Sequence, residues 1–126
     1  MRYLLDSSFV IDYLRDDPDA VERFDRLFAD GDEPLVNEVV VCEVRAALTD
    51  RAVGAFDALL RPTEFVQPGP SSAMEAGAWR STRARQGRVL SLADALIAAA
   101  AHANEAAVMT RNVRDFSLTP VRVETY

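Results

Sequence analysis

Apolar residues along this chain alternate between short runs and stretches spaced three or four apart, the two rhythms of strand and helix. Tyr3-Leu4-Leu5, Pro34-Leu35-Val36, Glu64-Phe65-Val66 and Ala107-Val108-Met109-Thr110 are the short runs, and they predict strands. Phe9, Val10, Tyr13 and Leu14 recur at helical spacing, with Ser7 or Ser8 as cap. Val21, Phe24, Leu27 and Phe28 do the same, with Asp19 as the expected cap. Asn37 can cap a helix over about residues 38–48 that buries Val40, Val41, Val44, Ala47 and Leu48, with Cys42 a small core residue. Val53, Phe56, Leu59 and Leu60 give a short helix. Ser71 or Ser72 is expected to cap another, through Met74, Ala78 and Trp79 to about Gln86. Val121-Arg122-Val123 alternates as an edge strand.

Strands alternating with helices imply parallel βαβ units. The expected fold is therefore α/β, a three-layer α/β/α domain around a central, mainly parallel sheet of four or five strands. No repeat, low-complexity segment or long linker divides the chain, so residues 1–126 are expected to form one domain.

One stretch differs from the rest. From Leu92 to Ala101 the apolar residues cover every side of a helix, which belongs inside a protein. Ser91 can cap it, and Asp94 lies in its first turn, where the helix dipole favours an anion. Ala98 and Ala101 flank Asp94 on its own face and leave room for another backbone. A carboxylate so placed needs partners. Either it accepts nearby backbone amides, or it forms one wall of a metal site.

Composition narrows the setting. The 49% hydrophobic and 27% charged residues are ordinary for a globular protein. The single cysteine excludes an internal disulfide and fits a reducing cytosol, so a cytoplasmic location is expected. Met1-Arg2-Tyr3-Leu4-Leu5-Asp6 turns charged too early for a signal peptide, and no membrane span is expected. All 14 basic residues are Arg, and the net charge of −6 disfavours broad binding to nucleic acid. Arg80, Arg83, Arg85 and Arg88 nevertheless form a run without an acid. Such a run is either a solvated helix face or an edge that contacts phosphate.

Four acids stand out by position. Asp6 follows the first strand, Glu43 lies in the helix after the second, Asp94 opens the buried helix, and Asp115 follows the fourth strand in the loop Arg111-Asn112-Val113-Arg114-Asp115-Phe116. Parallel strands bring Asp6 and Asp115 to one sheet edge, the carboxyl edge where ligands bind in open α/β sheets. Carboxylates crowded there cannot all stay ionised without a cation, and hard oxygen ligands suit Mg2+ or Mn2+. A cation so held suits hydrolysis of a phosphodiester. No Cys/His cluster suggests zinc, no Gly-rich phosphate loop is present, and His102 lies roughly 80° around the helix from Asp94.

The strings Leu4-Leu5-Asp6-Ser7-Ser8, Glu43 in a Val-rich helix, Leu92-Ala93-Asp94-Ala95-Leu96-Ile97-Ala98 and Thr110-Arg111-Asn112-Val113-Arg114-Asp115-Phe116 resemble, in this order, the four signatures of PIN-domain ribonucleases. The resemblance is strongest to VapC toxins of bacterial toxin–antitoxin pairs and spans almost the whole chain. It implies a PIN fold and a Mg2+- or Mn2+-dependent endoribonuclease that acts on RNA. It also implies a homodimer and a small antitoxin partner that occludes the site. Asp6, Glu43, Asp94 and Asp115 match the family's acidic quartet. Ser7 or Ser8 matches its hydroxyl residue after the first Asp, and Thr110 and Asn112 match polar positions lining the site. On this resemblance Asp6, Asp94 and Asp115 would hold one ion, directly or through water. Glu43 would hold a second or orient the attacking water. The four arginines would guide RNA. Asn37 stands where many relatives carry Ser or Thr and can cap equally well; Asp12 and Glu38 have no assigned role.

Two other classes compete. A catalytically silent PIN-like module that binds a protein partner has no need of four mutually repelling carboxylates. A Mg2+-dependent phosphotransfer or receiver-type domain would want a Lys beside the acids, and this chain has none.

Overall fold

The computed structural model describes residues 1–126. Its centre is a five-stranded sheet made of β1 (Arg2–Leu5), β2 (Glu33–Val36), β3 (Glu64–Phe65), β4 (Ala107–Met109) and β5 (Val123–Glu124). The spatial order is β3-β2-β1-β4-β5, and every pairing is parallel. Helices α1 (Ser7–Leu14), α2 (Pro18–Ala29), α3 (Glu38–Ala47), α4 (Val53–Leu60), α5 (Pro70–Arg85), α6 (Leu92–Ala103) and α7 (Val113–Phe116) flank it, giving the expected three layers. A 3-10 turn at Asp50–Ala52 leads into α4.

The strand order contains the fact that matters for function. From β1 the chain moves outward through β2 to β3, then returns to the other side of β1 to add β4 and β5. The direction of winding therefore reverses between β1 and β4, and in parallel sheets the crevice for a ligand opens at the carboxyl ends of the two strands where this happens. Leu5 pairs with Met109, so the residues that follow them, Asp6 and Thr110, emerge side by side at that crevice. The Asp6 N–H still donates to the Met109 carbonyl at 3.0 Å. Asp6 is thus fixed by the sheet before its side chain is considered.

The core explains the rigidity of this edge. Leu4, Leu5, Leu35, Val36, Val108 and Met109 are essentially without solvent contact and pack with Phe9, Val10, Leu27 and Ile97. Each such side chain contributes about 1.5–3 kcal/mol through burial. Ala95, Ile97, Ala98, Ala99, Ala100 and Ala101 of α6 are all buried, as an all-round apolar helix should be. Leu92, at its start, is exposed.

Several local expectations are corrected. Asp6, not Ser7 or Ser8, occupies the cap position of α1, in extended conformation and without a side-chain capping bond. Asp17, not Asp19, caps α2: its Oδ1 accepts from the Asp19 and Ala20 amides at 3.0 and 3.1 Å, because Pro18 takes the first helical position. In the same way Pro70 opens α5, and Gly69, at φ +87°, precedes it in place of a serine cap. Asn37 does cap α3, accepting from Val40 N–H at 3.1 Å. On that helix Val40 and Val44 are buried, whereas Ala47 and Cys42 are exposed. On α5 the buried residue is Ala76, while Met74 and Ala78 face solvent. The segment read as a loop at Arg111–Phe116 contains the one-turn helix α7, and the last strand lies at Val123–Glu124 rather than 121–123.

Candidate active site

The site is best built outward from Asp6, which is only 4% exposed. Its Oδ2 accepts a hydrogen bond from Thr110 Oγ at 2.8 Å and another from Ser8 Oγ at 3.0 Å. Of the two serines after the first strand, Ser8 makes this contact, and Ser7 makes no hydrogen bond to the acids. Thr110, fully buried, also accepts the Asn112 N–H at 2.9 Å on the same hydroxyl oxygen. One hydroxyl therefore ties the first acid to the start of the loop that carries the fourth. Both hydroxyl bonds fall on Oδ2 and leave Oδ1 as the oxygen able to meet a ligand.

Asp94 comes from the opposite wall. Ser91 accepts the Asp94 N–H at 3.1 Å and so starts α6 where its first turn faces the crevice. The Asp94 carboxyl is pushed above the ordinary carboxylate range, first by burial, against the lowering effect of its bond with Ser91. The negative charges of Asp115, Asp6 and Glu43 raise it further. The three other acids singled out in the sequence thus all bear on Asp94. Glu43 is half-buried on α3, and Asp115 is exposed on α7, whose single turn is closed by Asp115 N–H on the Asn112 carbonyl at 3.0 Å. Phe116, buried beside it, pins α7 to the core.

No three His, Cys, Asp or Glu side chains converge closely enough to hold one ion between them. An all-carboxylate set with one unbonded oxygen on a fixed Asp fits a hard divalent cation.

The arginine run has a part that the sequence did not disclose. Arg80 Nε donates to the Leu90 carbonyl at 3.0 Å, just before the Ser91 cap, and Arg83 Nε donates to the Leu118 carbonyl at 3.0 Å, just after α7. Two arginines of α5 therefore brace the segments that carry Asp94 and Asp115. Arg85 and Arg88 are exposed. His102 is exposed too, 3.5 Å from Glu75 and edge-on to Trp79, away from the acids.

A second cluster, also missed, forms around Arg111. Arg111 reaches Asp12 and Asp17 at 3.3 Å each and lies over the Tyr126 ring, whose hydroxyl donates to Asp12 at 2.5 Å. Only Asp12 left a trace in the sequence, one turn beyond Ser8 on α1.

Against this geometry the comparisons with known proteins are specific. The model of the PIN domain matches residues 3–120. The chain belongs to the PIN-domain family. This PIN domain is 27% identical over 117 residues to ribonuclease VapC19 of Mycobacterium tuberculosis, covering 93% of this chain and 94% of that protein. Its fold is shared with VapBC2 from Rickettsia felis bound to a promoter DNA fragment, at a TM-score of 0.86 and 19% identity over 99% of this chain and 98% of that one. It is shared also with a toxin–antitoxin complex from Klebsiella pneumoniae, at a TM-score of 0.78 and 22% identity over 98% and 96% of the two chains. The PIN domain is thus related to VapC-type proteins along nearly its full length. No helix in it is long and apolar enough to cross a membrane.

Proposed function

We propose that this PIN domain is a divalent-metal-dependent endoribonuclease, the cytoplasmic toxin of a toxin–antitoxin pair. The observation that supports this most is the Asp94 carboxyl, raised by burial and by three other acids. Asp6, Asp94 and Asp115 hold Mg2+ or Mn2+, and Glu43 holds a second ion or orients the attacking water. When bound, the ion supplies Lewis acidity toward water and the phosphoryl group. The chain's own residues do the positioning. Ser8 and Thr110 fix the Asp6 carboxylate by two hydroxyl bonds, so that Oδ1 keeps one orientation. Asn112, tied to Thr110 through its amide, sets the direction in which the Asp115 helix leaves the sheet. Arg85 and Arg88, with the outer faces of Arg80 and Arg83, guide the RNA backbone toward an otherwise acidic cleft.

The chain acts as a homodimer, and a small antitoxin covers the site. Tyr13, Leu14, Val21, Phe24, Ala58 and Leu59 line an apolar cavity of about 360 Å³ between α1, α2 and α4. An amphipathic helix of the antitoxin can lay its apolar face there. The toxin–antitoxin complexes among proteins of this fold support that partner.

The decisive assay incubates the purified chain with total cellular RNA in Mg2+ or Mn2+, beside an EDTA control and Asp94→Asn. We expect discrete fragments that require both the metal and Asp94. Intact RNA under every condition, with folded and partner-free protein, contradicts the nuclease and leaves a protein-binding module.

A further inference from the structure

We propose that Arg80 and Arg83 are positioning residues that fix the separation of Asp94 and Asp115. Through it they set the affinity of that pair for a divalent ion, a role that rests on the cation reading above. The two arginines lie three residues apart on one side of α5, roughly 4.5 Å apart along its axis. Each donates its Nε–H to a main-chain carbonyl at 3.0 Å, Arg80 to Leu90 and Arg83 to Leu118. Leu90 lies four residues before Asp94, and Leu118 lies three after Asp115. One turn of α5 therefore holds the chain on its way into α6 and on its way out of α7.

The side chains of the same two leucines point the same way. Leu90 and Leu118 join a small apolar cluster with Ala76 and Trp79 of α5 and Ala95 and Ala99 of α6. α5 and α6 thus pack as one layer, and the end of α7 is anchored to it. α7 needs such an anchor, because its four residues make a single turn, and a helix that short does not sustain itself. Its start is tied to the sheet edge by the Asn112 N–H on Thr110. Its far end is reached from α5 by Arg83, which is half-buried and also donates Nη1–H to Gln86 at 2.9 Å.

The force that this anchor must resist is electrostatic. Of the three acids that raise the Asp94 carboxyl, Asp115 acts most strongly. Until a cation balances it, that repulsion favours any movement that carries Asp115 away. Phe116 in the core and the Arg83 bond to Leu118 oppose the movement. With Nε and Nη1 both engaged, Arg83 keeps its charge to attract RNA but has no free bidentate edge for a phosphate.

Lysine substitutions in the full chain test this, because Lys keeps the charge and loses the planar Nε–H. Calorimetric titration of Mn2+ should show an affinity reduced about 10–100-fold in Arg83→Lys, the usual cost of losing an outer partner. Arg80→Lys, at an exposed position, should lower it less. Hydrogen exchange in EDTA should be faster at the Asp115, Ser117 and Thr119 amides of Arg83→Lys and unchanged in β1 and β4. Binding of a short 2′-O-methyl RNA should keep its salt dependence in the same variant, since the charge is retained. Unchanged Mn2+ affinity in Arg83→Lys overturns the proposal, whatever happens to α7. So does faster exchange across the whole sheet, which would make Arg83 a support of the fold and not of the pair. A lack of Mn2+ binding by the unmodified chain removes the cation reading instead, and exchange alone then reads the hold of Arg83 on α7.

Discussion

Thr110 and Arg111 are adjacent in the chain and lead into opposite kinds of electrostatics. Thr110 turns inward to Asp6, into a cleft where Glu43, Asp94 and Asp115 add further negative charge. Arg111 turns outward and meets two acids at 3.3 Å and the face of Tyr126. In the outer cluster the acids gain from their surroundings. The Asp17 carboxyl is held below its usual range, first by the Ala20 amide and then by Arg111. Tyr126 is raised by burial and by its bond to Asp12, so it stays a hydroxyl donor. In the cleft, burial and like charge push Asp94 the other way. Arg111 thus follows Thr110 directly, yet its charge meets the outer acids Asp12 and Asp17. The outer cluster holds the chain together; the inner one keeps an unmet demand for positive charge, which a divalent ion can satisfy.

The largest effect should come from breaking the inner cluster at its support. Thr110→Val keeps the shape but removes the hydroxyl from Asp6 and the acceptor from Asn112 N–H. Loss of such an outer partner costs about 10–100-fold in metal affinity or activity. Taking one hydroxyl partner from the buried Asp6 carboxylate should also lower stability by about 1–3 kcal/mol. RNA-cleavage rates and urea unfolding read the two separately, and an unchanged rate would show that Asp6 needs no such support.

Asp94→Asn should act in the reverse sense on stability. A carboxyl whose folded pKa is raised binds more protons folded than unfolded. Its ionisation therefore lowers stability as pH rises from the unfolded value of about 3.9 through the raised folded one, and the loss persists at neutral pH. Removing the charge should raise Tm by roughly a few degrees at pH 7 in EDTA and change it little at pH 3. Calorimetry at the two pH values checks this, and a lower Tm at pH 7 would mean that Asp94 is paired rather than strained. The smallest effect belongs to the outer cluster. Arg111→Ala removes a half-exposed ion pair, should leave Tm almost unchanged, and should matter less in high salt.

The same contrast explains what the sequence could convey. The layers, the parallel strands and the positions of all four acids were legible, because they rest on local periodicity and on polar residues at strand ends. Helix starts were misread twice for one physical reason. Proline takes the first helical position at Pro18 and Pro70, so the cap precedes it, and a later Asp or Ser cannot serve. The exposure of Cys42 was hidden by a run of valines that is apolar on every side of α3. The turn of helix holding Asp115 is too short to carry a period. Arg80, Arg83 and Tyr126 act on partners 10, 35 and 114 residues away, and such pairings leave no mark in any window of sequence.

The most direct test of the central idea, that Asp6 and Asp94 belong to a site for a divalent cation, is calorimetric titration of Mn2+ into the purified chain and into Asp6→Asn and Asp94→Asn. We expect saturable binding to the unmodified protein that is lost in both variants, while Arg111→Ala binds as before. Binding that persists unchanged in both Asp variants, with the proteins folded, would contradict it.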